Sequence, residues 1–209
     1  MRLASFVPLA FLFSLSLTAC EQSRQEQKAL DEQASILAPL IDPEKLDNLK
    51  GKRAATPRLR KVCYWLEMAR RDGKEPGNVI DRAQVLNRSQ NTDRAKVQKR
   101  SLIRNRIILE RLGCLDGPGM EKLRKGNAPT ITKGPYAGEI VTGDHIIPRS
   151  VTPELDNTLF NLEFMPLTLN QRKGAKVTQR QIDLAKRWNA DGLLSDEGLR
   201  AVLREGRKR

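Results

Sequence analysis

Apolar positions recur at helical spacing along most of this chain and at strand spacing only in one short stretch. Residues Leu3 to Leu17 are apolar or small throughout, and polar sequence starts abruptly at Glu21. Between Glu21 and Lys50, weak helical periodicity around Leu30, Ile36, Leu37 and Leu40 is broken by Pro39 and Pro43. This reads as a tether carrying a loosely attached helix; a helix docked on the body of the domain is the alternative. Pro57 to Asp72 predicts a helix with proline in its first turn, Leu59, Val62, Trp65, Leu66 and Ala69 on one face, and Gly73 closing it. Further helices are predicted over about Asn78–Ser89 and Thr92–Leu112. In the last of these, Ala95, Val97, Leu102, Ile108, Leu109 and Leu112 make an apolar arc. Lys96, Lys99, Arg100, Arg104, Arg106 and Arg111 take the opposite one.

Gly and Pro break the stretch from Gly113 to Pro135, leaving a short helix around Met120–Lys125. Glu139–Ile147 has strand character, and Asn161–Met165 reads as a second, short strand. Thr168–Gly174 is predicted as one or two helical turns. Thr178–Asn189 is a helix opened by a capping box at Thr178 and Gln181, and Ser195 caps a last helix to about Glu205. No internal repeat is present.

Composition sharpens this picture in three ways. At 39% hydrophobic the 209-residue chain can bury a core, and at 4% aromatic that core must be mostly aliphatic. Thirty-eight Lys and Arg against 25 Asp and Glu leave a net charge of +13, which points to a polyanion or an anionic membrane surface as partner. Residues 57–126 alone hold 18 basic and 8 acidic side chains, so most of the excess lies in the helical half. That basic face is either simply solvated or a track for phosphates. A single His excludes any zinc site with two His ligands, and three Cys exclude a four-Cys ribbon or a multi-disulfide scaffold.

The candidate chemistry sits at the end of the first predicted strand. Gly143-Asp144-His145-Ile146-Ile147-Pro148-Arg149-Ser150 places the only His beside an Asp. Asn157, Asn161 (opening Asn-Leu-Glu-Phe-Met-Pro-Leu) and Asn170 (opening Asn-Gln-Arg-Lys-Gly) follow. Carboxylate and amide oxygens suit Mg²⁺ or Mn²⁺, and Asp144 and Asn170 supply one of each. A His of ordinary pKa near 6.5 suits a general base at neutral pH. Adjacent strand residues point to opposite faces, so Asp144 and His145 serve one site only if the strand twists or bulges there.

These residues resemble the HNH nuclease family, over about Tyr136 to Lys176. The resemblance rests on the Asp-His-Ile-hydrophobic-Pro block, the central Asn-Leu and the closing Asn-x-x-Lys-Gly. It implies a ββα-metal fold and metal-dependent hydrolysis of phosphodiester bonds. Asp144 and Asn170 would bind Mg²⁺, with Mn²⁺ as alternative. His145 would activate water, and Asn161 would hold His145 in orientation across the two strands. Asn157 competes with Asn161 for that role; the strand after Asn161 and its distance to Asn170 favour Asn161. Asn170 stands where many members have a closing His, which matches the Asn-terminated subgroup. Arg149, Arg172 and Lys173 flank the motif as candidate nucleic-acid contacts, joined by Lys99, Arg100 and Arg104 of the basic helix, or all are ordinary surface charge.

The N-terminus carries a second resemblance. Met1–Ala19 reads as a secretion signal, and Leu17-Thr18-Ala19-Cys20 resembles the lipobox of bacterial lipoproteins, whose signal is cut before a Cys that receives lipid. Cys63 and Cys114 then remain, either as a disulfide outside the cytoplasm or as two buried free thiols. The whole predicts an α+β protein, a mostly helical domain enclosing a small ββα-metal nuclease module. Its parts are a leader (1–19), a tether (20–56), a basic helical region (57–126), the module (127–177) and C-terminal helices (178–209). The expected activity is a lipid-anchored endonuclease of the bacterial envelope, outside the cytoplasm, cutting DNA with little sequence specificity and needing no protein partner. The rivals are an inactive nucleic-acid-binding lipoprotein and a basic surface lipoprotein that binds anionic envelope polymers.

Overall fold

A computed structural model describes the backbone of residues 9–51 and 53–208, and side chains from residue 21 onward. The expected leader, Met1–Ala19, and the lipidation at Cys20 concern side chains outside the described residues. The protein is α+β, mostly helical, with one two-stranded antiparallel sheet. In order, the helices are α1 (Leu9–Ile41), α2 (Pro43–Asp47), α3 (Ala55–Arg71), α4 (Pro76–Leu86), α5 (Asp93–Arg111) and α6 (Gly117–Lys125). Strand β1 (Val141–His145) follows, then two 3-10 turns, strand β2 (Leu162–Pro166), and helices α7 (Leu167–Lys173), α8 (Gln179–Ala190) and α9 (Asp196–Gly206).

Local chemistry sets the helix ends as the sequence predicts. Thr92 accepts from the Ala95 N–H at 3.1 Å, Ser195 accepts from Gly198 N–H at 2.9 Å, and the Thr178–Gln181 capping box forms. The expectation for residues 20–56 needs correction. Residues 21–28 are exposed on all sides, yet they are helical, a stalk rather than a loose tether. From Leu30 the same helix packs into the body: Ala34, Leu37, Ala38 and Ile41, one apolar stripe, are buried against α3 and α4. Pro39 does not end the helix. It lies in the last turn, where its missing N–H forfeits one bond, and docking outweighs that loss. The carbonyls this end leaves open are taken from outside, by Asn87 Nδ2 on Ala38 O at 2.8 Å and Gln98 Nε2 on Ile41 O at 3.1 Å.

Two hydrophobic clusters form the core. The larger joins α1 to α6 with Val141, Leu159, Leu162 and Phe164 of the strand region. The smaller packs Val97, Ile147, Leu155 and Phe160 against Trp188 and Val202 of the last two helices, with Phe160 and Trp188 edge to face at 4.9 Å. Cys63 and Cys114 both lie buried in the larger cluster as free thiols, so the disulfide reading is corrected in favour of small hydrophobes. Burial pushes the Cys114 thiol up to about 12 and raises Cys63 further still, which leaves neither reactive.

Arg106 also departs from expectation. It leaves the basic arc of α5 and turns inward, 2.9 Å from Glu67. Glu67 is 1% exposed and accepts from Arg70, Arg71 and Arg106 together. Burial alone would raise its pKa, but the three guanidinium groups overcome that and hold the carboxyl at about 2. Glu67→Gln is therefore expected to cost about 3 kcal/mol at neutral pH, because Arg106 stays buried with only the half-exposed Glu110, 2.9 Å away, as counter-charge. The unfolded carboxyl takes its proton near 4.5 and the folded one near 2. Stability present above pH 4.5 is thus lost as pH falls toward 2. Urea midpoints of wild type and variant should differ widely at pH 7 and converge in that acid window; a constant difference would contradict this account.

Candidate functional site

The site is built on the hairpin and the helix that crosses it. Strands β1 and β2 pair in regular antiparallel register, with Thr142 opposite Met165, Asp144 opposite Glu163 and His145 opposite Leu162. Only two strands carry this sheet, so its edges need partners. Asn105, fully buried on α5, supplies one: its Nδ2 donates to Leu162 O at 2.9 Å, and its Oδ1 accepts from Phe164 N–H at 2.8 Å. The side-chain amide thus stands in for a third strand on β2.

Asn161 does the same for the segment after β1. It is fully buried; its Oδ1 accepts from Ile147 N–H at 2.8 Å and its Nδ2 donates to Ile147 O at 3.0 Å. It fixes the chain two residues beyond His145 rather than touching the imidazole, so its expected role is refined from orienting a ring to clamping a backbone. Asn157 instead reaches Leu49 O at 3.0 Å, away from the strands.

Helix α7 is positioned from β1's approach. Pro166 at its N-cap offers no side-chain bond. Glu139 supplies one from the chain before β1, accepting from Thr168 N–H at 3.0 Å and Thr168 Oγ1 at 2.8 Å. Those two bonds hold the Glu139 carboxyl below its ordinary value. The helix then lays Asn170 and Lys173, one turn apart, over the face of β1 that carries Thr142 and Asp144. Asn170 Nδ2 donates to Thr142 Oγ1 at 3.0 Å, and Lys173 Nζ bonds both Asp144 Oδ2 and the carbonyl oxygen of His145. Asp144 and Asn170 are therefore on one face, as expected, with an ammonium held between two oxygen ligands there. Among the described residues no three His, Cys, Asp or Glu side chains gather; the oxygens here are carboxylate, amide, hydroxyl and carbonyl.

His145 takes the other face. The register is unbroken through Asp144 and His145, so no bulge brings them round. The ring is 5% exposed, and its Nε2 lies 2.9 Å from Asp156 O and 3.0 Å from Asp156 Oδ1. Arg149 approaches the same carboxylate at 3.8 Å. Asp156 is a residue that sequence reasoning missed, because it lies eleven positions past His145 along an irregular connection. Glu163 is another: it sits opposite Asp144 and pairs with Arg104 at 3.2 Å and Arg180 at 3.0 Å. An alternation count along β2 would have flagged it.

The predicted phosphate contacts are divided. Lys99 is tied to Asp81 at 2.5 Å and Arg104 to Glu163, while Arg100 is exposed. Arg172 is exposed near Glu139, and Lys173 is occupied by Asp144. A groove of about 540 Å³ beside Lys173 is lined also by Glu163, Lys176 and Arg180. No family model, curated protein or solved structure matches the chain.

Removing the Asn161 amide would orphan both the N–H and the C=O of Ile147. Asn161→Ala is expected to cost about 2–3 kcal/mol. The urea midpoint checks it, and hydrogen exchange should quicken at Ile147. Wild-type protection at Ile147 in the variant would remove the clamp from the account.

Proposed function

We propose that the protein is a metal-dependent phosphodiesterase of HNH type, an endonuclease acting on DNA with little sequence specificity. The observation that carries the reading is the face shared by Asp144, Thr142 and Asn170, on which Lys173 seats a positive charge between the Asp144 carboxylate and the His145 carbonyl. Hard oxygen donors already gathered around a cation suit Mg²⁺ or Mn²⁺, so the residues fit such an ion, which Asp144 and Asn170 would hold. When bound, it would supply charge stabilisation at the phosphate and the leaving oxygen.

The rest falls to the chain's own groups. With Nε2 donating to Asp156 O, the neutral imidazole keeps its proton there and leaves Nδ1 to take one from water. His145 closes β1 with its ring on the face opposite the Asp144 carboxylate, so the two flank one strand end across the sheet. Asp156 occupies Nε2, so the proton acceptor is Nδ1 of a ring that is 5% exposed, and water must reach it there. The exposed Lys176 and Arg100 would take backbone phosphates, which gives affinity without base readout. The near-complete burial of His145 favours one rival, a protein that holds nucleic acid without cutting it, and plasmid nicking with Mg²⁺ separates the two. For place, we propose export and lipid attachment at Cys20. The exposed helical stalk would then stand the body about 15 Å off the membrane, at 1.5 Å per residue.

His145→Ala is expected to lower the rate of Mg²⁺-dependent nicking of supercoiled DNA by about 10²–10⁴ while leaving the far-UV spectrum intact. A variant that nicks at the wild-type rate would take His145 out of the mechanism.

Lys173 and a divalent ion compete for the same oxygens. Lys173→Met is thus expected to tighten Mn²⁺ binding several-fold in calorimetric titration without nucleic acid, whereas Asp144→Ala weakens it. Unchanged binding in both variants would place the ion elsewhere.

A further inference from the structure

A second groove, of about 530 Å³, lies between the first turn of α3 and the β1–α7 unit. Arg53, Thr56 and Arg60 form one wall, and Thr142, Asn170 and Gln171 stand in the other. None of its lining residues is acidic. Arg60 is part-buried, and its one hydrogen bond runs from Nη1 to Gly126 O at 3.1 Å. Its Nε is buried without a partner, and among the described residues no carboxylate pairs with it. Every other inward-turned cation near the site is neutralised: Lys173 by Asp144, Arg104 by Glu163, Arg106 by Glu67. Thr56 is 7% exposed and its Oγ1 also lacks a partner. Its N–H is taken by Arg53 O at 3.0 Å and Pro57 has none, so the hydroxyl is a donor left open in this turn.

Unmet groups of this kind share a sign. A guanidinium without a carboxylate and a buried hydroxyl free to donate both call for a charged acceptor. Burying a cation unpaired is costly, so the arrangement is explained most simply by a ligand that brings the missing charge. We propose that Arg60, with Arg53 and Thr56, forms a phosphate-binding site beside Asn170. Resting on the nuclease reading, it holds the phosphate of a nucleic-acid strand next to the one presented to Asp144. Helix α7 lines this groove with Asn170 and Gln171 and the other with Lys173, so one strand crossing α7 would meet both.

The test uses the full chain, Arg60→Gln, the near-isosteric Thr56→Val, and Arg200→Gln as a charge-matched control from exposed α9. Thermal unfolding is followed against inorganic phosphate at ionic strength held constant with chloride. Binding of a labelled single-stranded oligonucleotide is followed against salt in EDTA. Phosphate should raise the midpoint of wild type and Arg200→Gln, with about tenfold more needed in Arg60→Gln and a weakened response in Thr56→Val. The log–log salt slope should flatten by about 0.7 in Arg60→Gln. A lost phosphate response with an unchanged slope means that the site takes free phosphate rather than a strand. Equal phosphate responses and equal slopes in wild type and Arg60→Gln overturn the site. Should Arg60→Gln fail to fold, an unchanged phosphate response in Thr56→Val overturns it instead. Wild type that responds to phosphate through Arg60 but never nicks DNA refutes the nuclease reading and leaves the site standing.

Discussion

A two-stranded sheet cannot satisfy its own edges, and the way this protein meets that constraint organises everything around it. An isolated hairpin is marginal in water, because half its backbone groups face outward and one face must still be buried. Here a buried amide stands in for the strand missing beside β2, a second secures the chain after β1, and Pro129 O takes the Val141 N–H at 3.0 Å on the other edge. Asn105 closes the outer edge of β2 from α5, and Asn161 clamps the chain beyond β1 from inside the connection. Each makes a paired donor and acceptor contact to backbone, so each fixes register as well as position. The hairpin is thereby bolted to the helical body, and Asp144 and His145 are held at a defined strand end.

Charge follows the same logic of local compensation. The chain carries a large basic excess, yet the inward-facing cations meet carboxylates one by one: Arg106 at Glu67, Arg104 at Glu163, Lys173 at Asp144. Glu67 alone serves three arginines. Arg60 stands outside this pattern, which is why an anion is assigned to it. The α5 arc, by contrast, is less open to phosphate than a helical projection suggests, since Lys99 and Arg104 are already engaged and Arg106 faces inward.

The proposed chemistry depends on an asymmetry at the strand end. Asp144 and Asn170 share the α7 face with a seated ammonium, whereas His145 looks across to Asp156. In this arrangement the oxygens proposed for the ion share one face, and the proposed base is buried on the other. Under the proposed reading a divalent ion would compete with Lys173 for those oxygens, and water would have to reach the buried ring of His145.

Periodicity and end signals along the chain were enough to place α3 to α9 and the two strands within a few residues, but not α1 and α2. Thr92, Thr178, Gln181 and Ser195 act through contacts one turn away, which sequence spacing encodes directly. That Asp144 and Asn170 belong to one site came from the motif's resemblance to a known family and from their oxygen donors; the structure brings Asn170 to Thr142, two residues from Asp144 on the same face of β1. What sequence could not decide were contacts between distant segments. Whether residues 30–41 were tether or core depended on α3 and α4 offering an apolar face. Whether Cys63 and Cys114 bridged depended on geometry across the core. Arg106 turned inward because Glu67 lies on another helix, and Asp156 reached His145 through an irregular connection that no periodicity describes. Local spacing is written in the covalent chain; a partner many residues away is chosen only when the packed core brings it within reach.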